Sequence, residues 1–170
     1  IYHQAHGKWS DPDSWDKQYS TRTGTQHPPI ADKYRHGMRD LFSSKILARL
    51  MDWSPIEQST EETADWKTAE GAVKFLKRRH DKPFFLAVGF FRPHVPMFVP
   101  KKWFDRHPLK KVQLPKIDPH DRDDLPQYGK DLAIGHPAPR HEWFLENRQW
   151  KHAVQSYLAS TTFVDHCVGR

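Results

Sequence analysis

Phe84-Phe85-Leu86-Ala87-Val88-Gly89-Phe90 is an unbroken apolar run with no alternation of polar and apolar positions. A strand with one wet face alternates, so a continuous run predicts a strand covered on both faces, as in a parallel sheet flanked by helices. Upstream, Ser59-Thr60-Glu61-Glu62 reads as a capping box in which the Ser59 hydroxyl takes the Glu62 amide and the Glu62 carboxylate reaches back. Trp66, Ala69, Val73 and Leu76 then recur at helical spacing. Cations from Lys74 to Arg79 suit a helix C-terminus, and Pro83 forbids continuation, so the helix is expected to end near Arg79. A helix leading directly into such a strand indicates an α/β fold. One strand makes no sheet, so its neighbours must come from other segments or from outside the chain.

Further out the pattern weakens. Residues 1–55 show no sustained period beyond a helical turn near Met38 to Arg49. From Arg92 to Pro139 prolines and acidic residues recur, and Asp118 to Asp124 offers nothing to bury, which predicts an extended surface loop with short turns. Trp150, Val154, Tyr157, Thr161, Val164 and Val168 follow a three-and-four spacing, predicting a long amphipathic helix that runs off the end. The chain opens on Ile1 and closes at Arg170 inside that helical pattern, so both ends are expected to be cuts in a longer protein.

Composition bounds the partners. The 170 residues carry a net charge of +6, 14 prolines and one cysteine. No apolar stretch approaches the ~18 residues of a membrane span, and no signal-like segment opens the chain. Cys167 alone forms no internal disulfide and settles no redox compartment. The positive balance favours a polyanionic partner. Basic residues at Lys74 to Arg79, Lys101, Lys102, Lys110 and Lys111 lack any zinc-finger, helix-turn-helix or RNP pattern between them, which argues against nucleic acid.

Ligands of open α/β sheets sit beyond the carboxyl ends of strands, which directs attention to Phe91-Arg92-Pro93-His94-Val95-Pro96. Pro93 and Pro96 fix the backbone around His94 and lower the entropy cost of holding its imidazole in one orientation. Such a ring can donate to an anionic oxygen or pass a proton near neutral pH, and Arg92 adds permanent charge beside it. The bland reading is a histidine that ends a strand and bonds a loop carbonyl.

Lys82-Pro83 with the apolar run, then Arg92-Pro93-His94-Val95-Pro96 and Pro100-Lys101-Lys102-Trp103-Phe104-Asp105, resembles the type I sulfatases, nearest the iduronate-2-sulfatase-like branch. Ile1-Tyr2-His3, His6-Gly7 and Asp11-Pro12-Asp13-Ser14-Trp15 are similar to the stretch after that family's Gly-Lys. Tyr157-Leu158-Ala159-Ser160 through Asp165 to Val168-Gly169-Arg170 is similar to its central helix. The resemblance implies an alkaline-phosphatase-like fold, a calcium ion and a formylglycine nucleophile. It makes residues 1–170 an internal part of the catalytic domain, needing the remainder of that domain. It carries over His94 and His3 as sulfate-binding catalytic histidines, and suggests a periplasmic, secreted or lysosomal protein.

The family's nucleophile motif has no match in Cys167-Val168-Gly169-Arg170, so Cys167 reads as a packing residue and the nucleophile and calcium ligands are expected outside the chain. His3 and His6 without a carboxylate or cysteine nearby make a weak zinc site. Asp121, Asp123 and Asp124 lack the glycine and terminal glutamate of an EF-hand loop. Arg92, Lys101, Lys102 and Trp103, the last offering a stacking face, are candidate contacts for a sulfated carbohydrate. The expected activity is sulfate ester hydrolysis by the full protein, with the 170 residues alone neither folding cooperatively nor active. Phosphate or phosphonate ester hydrolysis on the same fold, and a non-catalytic basic polysaccharide-binding module, are the alternatives.

Overall fold

The computed structural model describes residues 12–17, 52–135 and 139–170. His3 and the turn near Met38 to Arg49 lie outside the described residues. The sheet is a parallel pair, β1 (Trp53–Ile56) and β2 (Met97–Pro100), with Trp53 opposite Met97 and Pro55 opposite Val99. The Met97 amide also donates to the Asp52 carbonyl at 2.9 Å, extending the pairing by one bond. Both strands are short and carry a proline, which lacks a donor and shortens the ladder each can build. Helices α1 (Ala64–Leu76), α2 (Lys101–Asp105), α3 (Gln127–Gly135), α4 (His141–Glu146) and α5 (Trp150–Val168) complete the described elements with short 3-10 turns at Pro12–Ser14 and Leu109–Lys111. The parallel sheet with flanking helices is the expected α/β architecture.

The strand is not where the apolar run predicts it. Residues 84–90 belong to no strand, and Phe84, Phe85 and Val88 are exposed, Phe85 at 82%. The buried apolar strand is Met97-Phe98-Val99, inside the region expected to be loop. A strand needs a ladder partner, and β1 pairs with β2, leaving the longer run without one among the described residues. Phe84 instead packs edge-on against Phe75 of α1, with ring centroids 5.0 Å apart, and Phe85 stacks on Trp15 at 6.1 Å.

The start of α1 is displaced too. Thr63, not Ser59, is the cap: its Oγ1 accepts from the Trp66 amide at 3.4 Å and donates to the Thr60 carbonyl at 2.6 Å. Half of the expected capping box survives, because the Glu62 carboxylate accepts the Ser59 amide at 2.9 Å. Lys77 closes the helix, two residues before Arg79, and Leu76 is exposed.

The core gathers Ala69 of α1, Val99 of β2, Trp103 and Phe104 of α2, and Ala159, Phe163 and Cys167 of α5. A second cluster joins Trp53 and Met97 to Trp143, Phe144 and Ala153. Helix α5 forms as predicted, but Gly169 caps it, and its buried face is Ser156, Ala159, Ser160, Phe163 and Cys167, while Tyr157 and Val168 are exposed. Small side chains let a helix approach a sheet closely, and that outweighs the larger residues on the neighbouring face. Residues 118–124 are exposed turns, as expected.

Candidate functional site

The segment from Phe91 to Pro96 links the apolar run to β2 and is fixed from two sides. On one side Asp65, in the first turn of α1 and 6% exposed, accepts the Phe91 amide through Oδ1 at 2.6 Å and the Arg92 amide through Oδ2 at 3.2 Å. On the other, the Arg92 guanidinium donates to the Phe98 carbonyl of β2 from Nε at 3.0 Å and Nη2 at 2.9 Å. Both peptide bonds into the prolines, Arg92-Pro93 and Val95-Pro96, are cis.

His94 sits half-buried at the centre of this turn. Its amide donates to the Phe91 carbonyl at 3.0 Å, and its ring lies 5.0 Å from the Phe91 ring. Nδ1 bonds the Val95 carbonyl. A carbonyl only accepts, so Nδ1 is the nitrogen that carries the proton in this bond. The bond to a loop carbonyl, which the bland reading anticipates, also fixes the tautomer.

Arg92, expected as a substrate contact, is instead buried beside β2. The guanidinium is turned inward, 7% exposed, and spends donors on the Phe98 carbonyl. Burial lowers its pKa to about 10, with the Asp65 charge acting in the opposite direction, so it stays cationic at neutral pH. A buried cation is stable only with partners, and the nearby carboxylate supplies one.

Trp103, expected to offer a stacking face, is likewise buried. At 4% exposure it is a core residue, its Nε1 donating to Thr60 Oγ1 at 3.1 Å and its ring facing Phe163 and His166, so it offers no open stacking face. Lys101 and Lys102 stand on the exposed side of α2. Lys101 Nζ bonds both Asp105 oxygens at 2.6 and 2.8 Å, and Lys102 Nζ lies 5.2 Å from the Trp103 ring centroid. Exposed i,i+4 pairs contribute about 0.3–0.5 kcal/mol, so Lys101 can exchange Asp105 for another anion at little cost.

Cys167 is 1% exposed on the inner face of α5, and burial pushes its thiol up to about 12. It packs, as the sequence indicates, and is no reactive nucleophile at neutral pH. Among the described residues no three His, Cys, Asp or Glu side chains come together as a cation site.

Asp65 is the residue that sequence reasoning missed. An aspartate in the first turn of a helix reads as a charge complementing the helix dipole, and nothing local marks it as the acceptor for amides 26 and 27 residues away.

Comparison with known proteins agrees with the resemblance. The sulfatase family model matches residues 1–170. A sulfatase of Formosa agariphila is 37% identical over 119 residues, covering 70% of this chain and 24% of that protein. An arylsulfatase of Clostridium perfringens is 32% identical over 108 residues, covering 62% and 21%. The iduronate 2-sulfatase of Mus musculus is 32% identical over 127 residues, covering 68% and 21%. The chain thus spans less than a quarter of the length of these relatives. With a family model matched from Ile1 to Arg170, the chain belongs to the sulfatase family.

Proposed function

We propose that the intact protein hydrolyses sulfate esters, on a sulfated carbohydrate, and that His94 meets the sulfate at the bridging oxygen. Membership of the sulfatase family is the observation that carries the reaction type. The tethered tautomer of His94 supports the residue assignment. Cleaving the S–O bond develops negative charge on the leaving oxygen, and an imidazolium held in one orientation can protonate or stabilise it through Nε2. The Val95 carbonyl suits that role, since it accepts from Nδ1 whether or not Nε2 carries its own proton.

His3 is proposed as a second sulfate contact, on the resemblance alone. Lys101 and Lys102 are proposed to meet the acidic substrate, in keeping with their exposure and the net charge of +6. Arg92 serves the site by holding the turn, from its buried position. A calcium ion and a formylglycine nucleophile are proposed for the intact protein on resemblance, and the role given to His94 passes through neither.

The test is His94→Ala in the intact protein. Turnover of a sulfate ester should fall by roughly 100-fold or more, the scale of a positioned acid-base group. Unchanged turnover in a folded variant rejects the assignment, and a preference for phosphate esters would move the protein to the phosphoesterase reading.

A further inference from the structure

We infer that Asp65 is a positioning residue for His94. The inference rests on the reading of His94 given above and extends it to a side chain on another element. The path is short and continuous. The Asp65 carboxylate takes the Phe91 amide at 2.6 Å and the Arg92 amide at 3.2 Å. The Phe91 carbonyl in turn takes the His94 amide at 3.0 Å, and the Phe91 ring lies 5.0 Å from the imidazole. One residue, Phe91, is thus held by α1 through its N–H and holds His94 through its C=O and its ring.

The carboxylate suits this task better than a neutral side chain. Both oxygens are acceptors, each meets a separate donor, and charge-assisted bonds from amides are stronger than neutral ones. Asp65 is 6% exposed, so water does not readily replace either bond. The Arg92 guanidinium, anchored to the Phe98 carbonyl, fixes the same turn from β2. His94 is therefore referenced both to α1 and to the sheet, and displacement of either end moves the imidazole relative to a bound ester. Misplacing a reacting group by about 1 Å can cost on the order of 100-fold in rate.

The experiment uses the intact protein with Asp65→Asn, which keeps one acceptor and sets an NH2 group against an amide that is itself a donor. Asp65→Glu, which keeps the charge and shifts it by one methylene, is the second variant should the first fail to fold. kcat and KM are measured on an aryl sulfate, together with histidine ring resonances. The His94 signal is the one absent from His94→Ala, and His107, held by Thr162 of α5 at 2.7 Å, is the internal control. Asp65→Asn should lower kcat by about 10- to 100-fold with KM nearly unchanged, and should shift the His94 signal while that of His107 stays. Asp65→Glu should do the same to a smaller extent. Loss of activity with an unmoved His94 signal, or equal disturbance of His94 and His107, overturns the positioning role. Full activity of Asp65→Asn beside an impaired His94→Ala overturns it as well and leaves the role of His94 intact. Full activity of His94→Ala removes the underlying reading itself.

Discussion

Two apolar stretches a few residues apart meet opposite fates. Residues 84–90 form the longer and more hydrophobic run, yet Phe85 is 82% exposed and no strand forms there. Met97-Phe98-Val99-Pro100 is shorter and ends in a proline, yet all four residues are buried and paired with β1. Apolarity states how much a segment gains from burial. Whether it is buried depends on a partner strand and a covering helix, and the partner strand of β2 comes from residues more than 40 positions away in sequence. β2 has both, because α2 and α5 bring Phe104, Ala159 and Phe163 into the same core as Val99.

The contrast can be broken most forcefully at Val99, which is fully buried. Val99→Asp should cost more than about 4 kcal/mol, enough to unfold a typical domain, because it buries a carboxylate without a partner. Denaturant unfolding of the intact protein measures this, and a folded variant of near-normal stability would remove β2 from the core. An intermediate effect comes from Cys167 in the same cluster. Its folded pKa lies near 12 against an ordinary value of 9.0, so the unfolded chain ionises first as pH rises. Stability should hold below pH 9 and fall between pH 9 and 12, by at most about 1.4 kcal/mol per pH unit. Cys167→Ala should flatten that part of the profile, and identical slopes in the two proteins would contradict the burial. The smallest effect is expected at Phe85, where replacement by serine should change stability by no more than about 0.5 kcal/mol. A loss of several kcal/mol in the intact protein would mean that another segment covers this face, and the contrast would dissolve.

What could be read from the sequence follows the range of the interactions. Helix α5, the exposed turns at 118–124 and the packing role of Cys167 depend on local periodicity and composition, and all are found as expected. The start of α1 was located within a few residues because two cap-forming hydroxyls, Ser59 and Thr63, compete in one short stretch and only packing selects between them. β2 was hidden because four residues with a terminal proline resemble the proline-rich loop around them. The face of α5 was misjudged because Ser156, Ala159 and Ser160 are small, and their value lies in how closely they let the sheet approach. At the candidate site, the constrained turn around His94 is legible in Pro93 and Pro96. The inward turn of Arg92, the burial of Trp103 and the Asp65 clamp are not, since each depends on a contact across 6 to 43 residues.

The open run at residues 84–90 also bears on how the chain behaves among its own copies. Seven consecutive residues without charge or proline, outside any ladder among the described residues, have the composition of a segment that pairs with an identical neighbour. Lys82 and Pro83 stand immediately before it and Pro93 shortly after, where a charge and two rings without an N–H interrupt the growth of such pairing. The stretch that carries much of the family resemblance is therefore also one whose composition favours self-pairing, and its flanking residues are of the kind that interrupts such pairing.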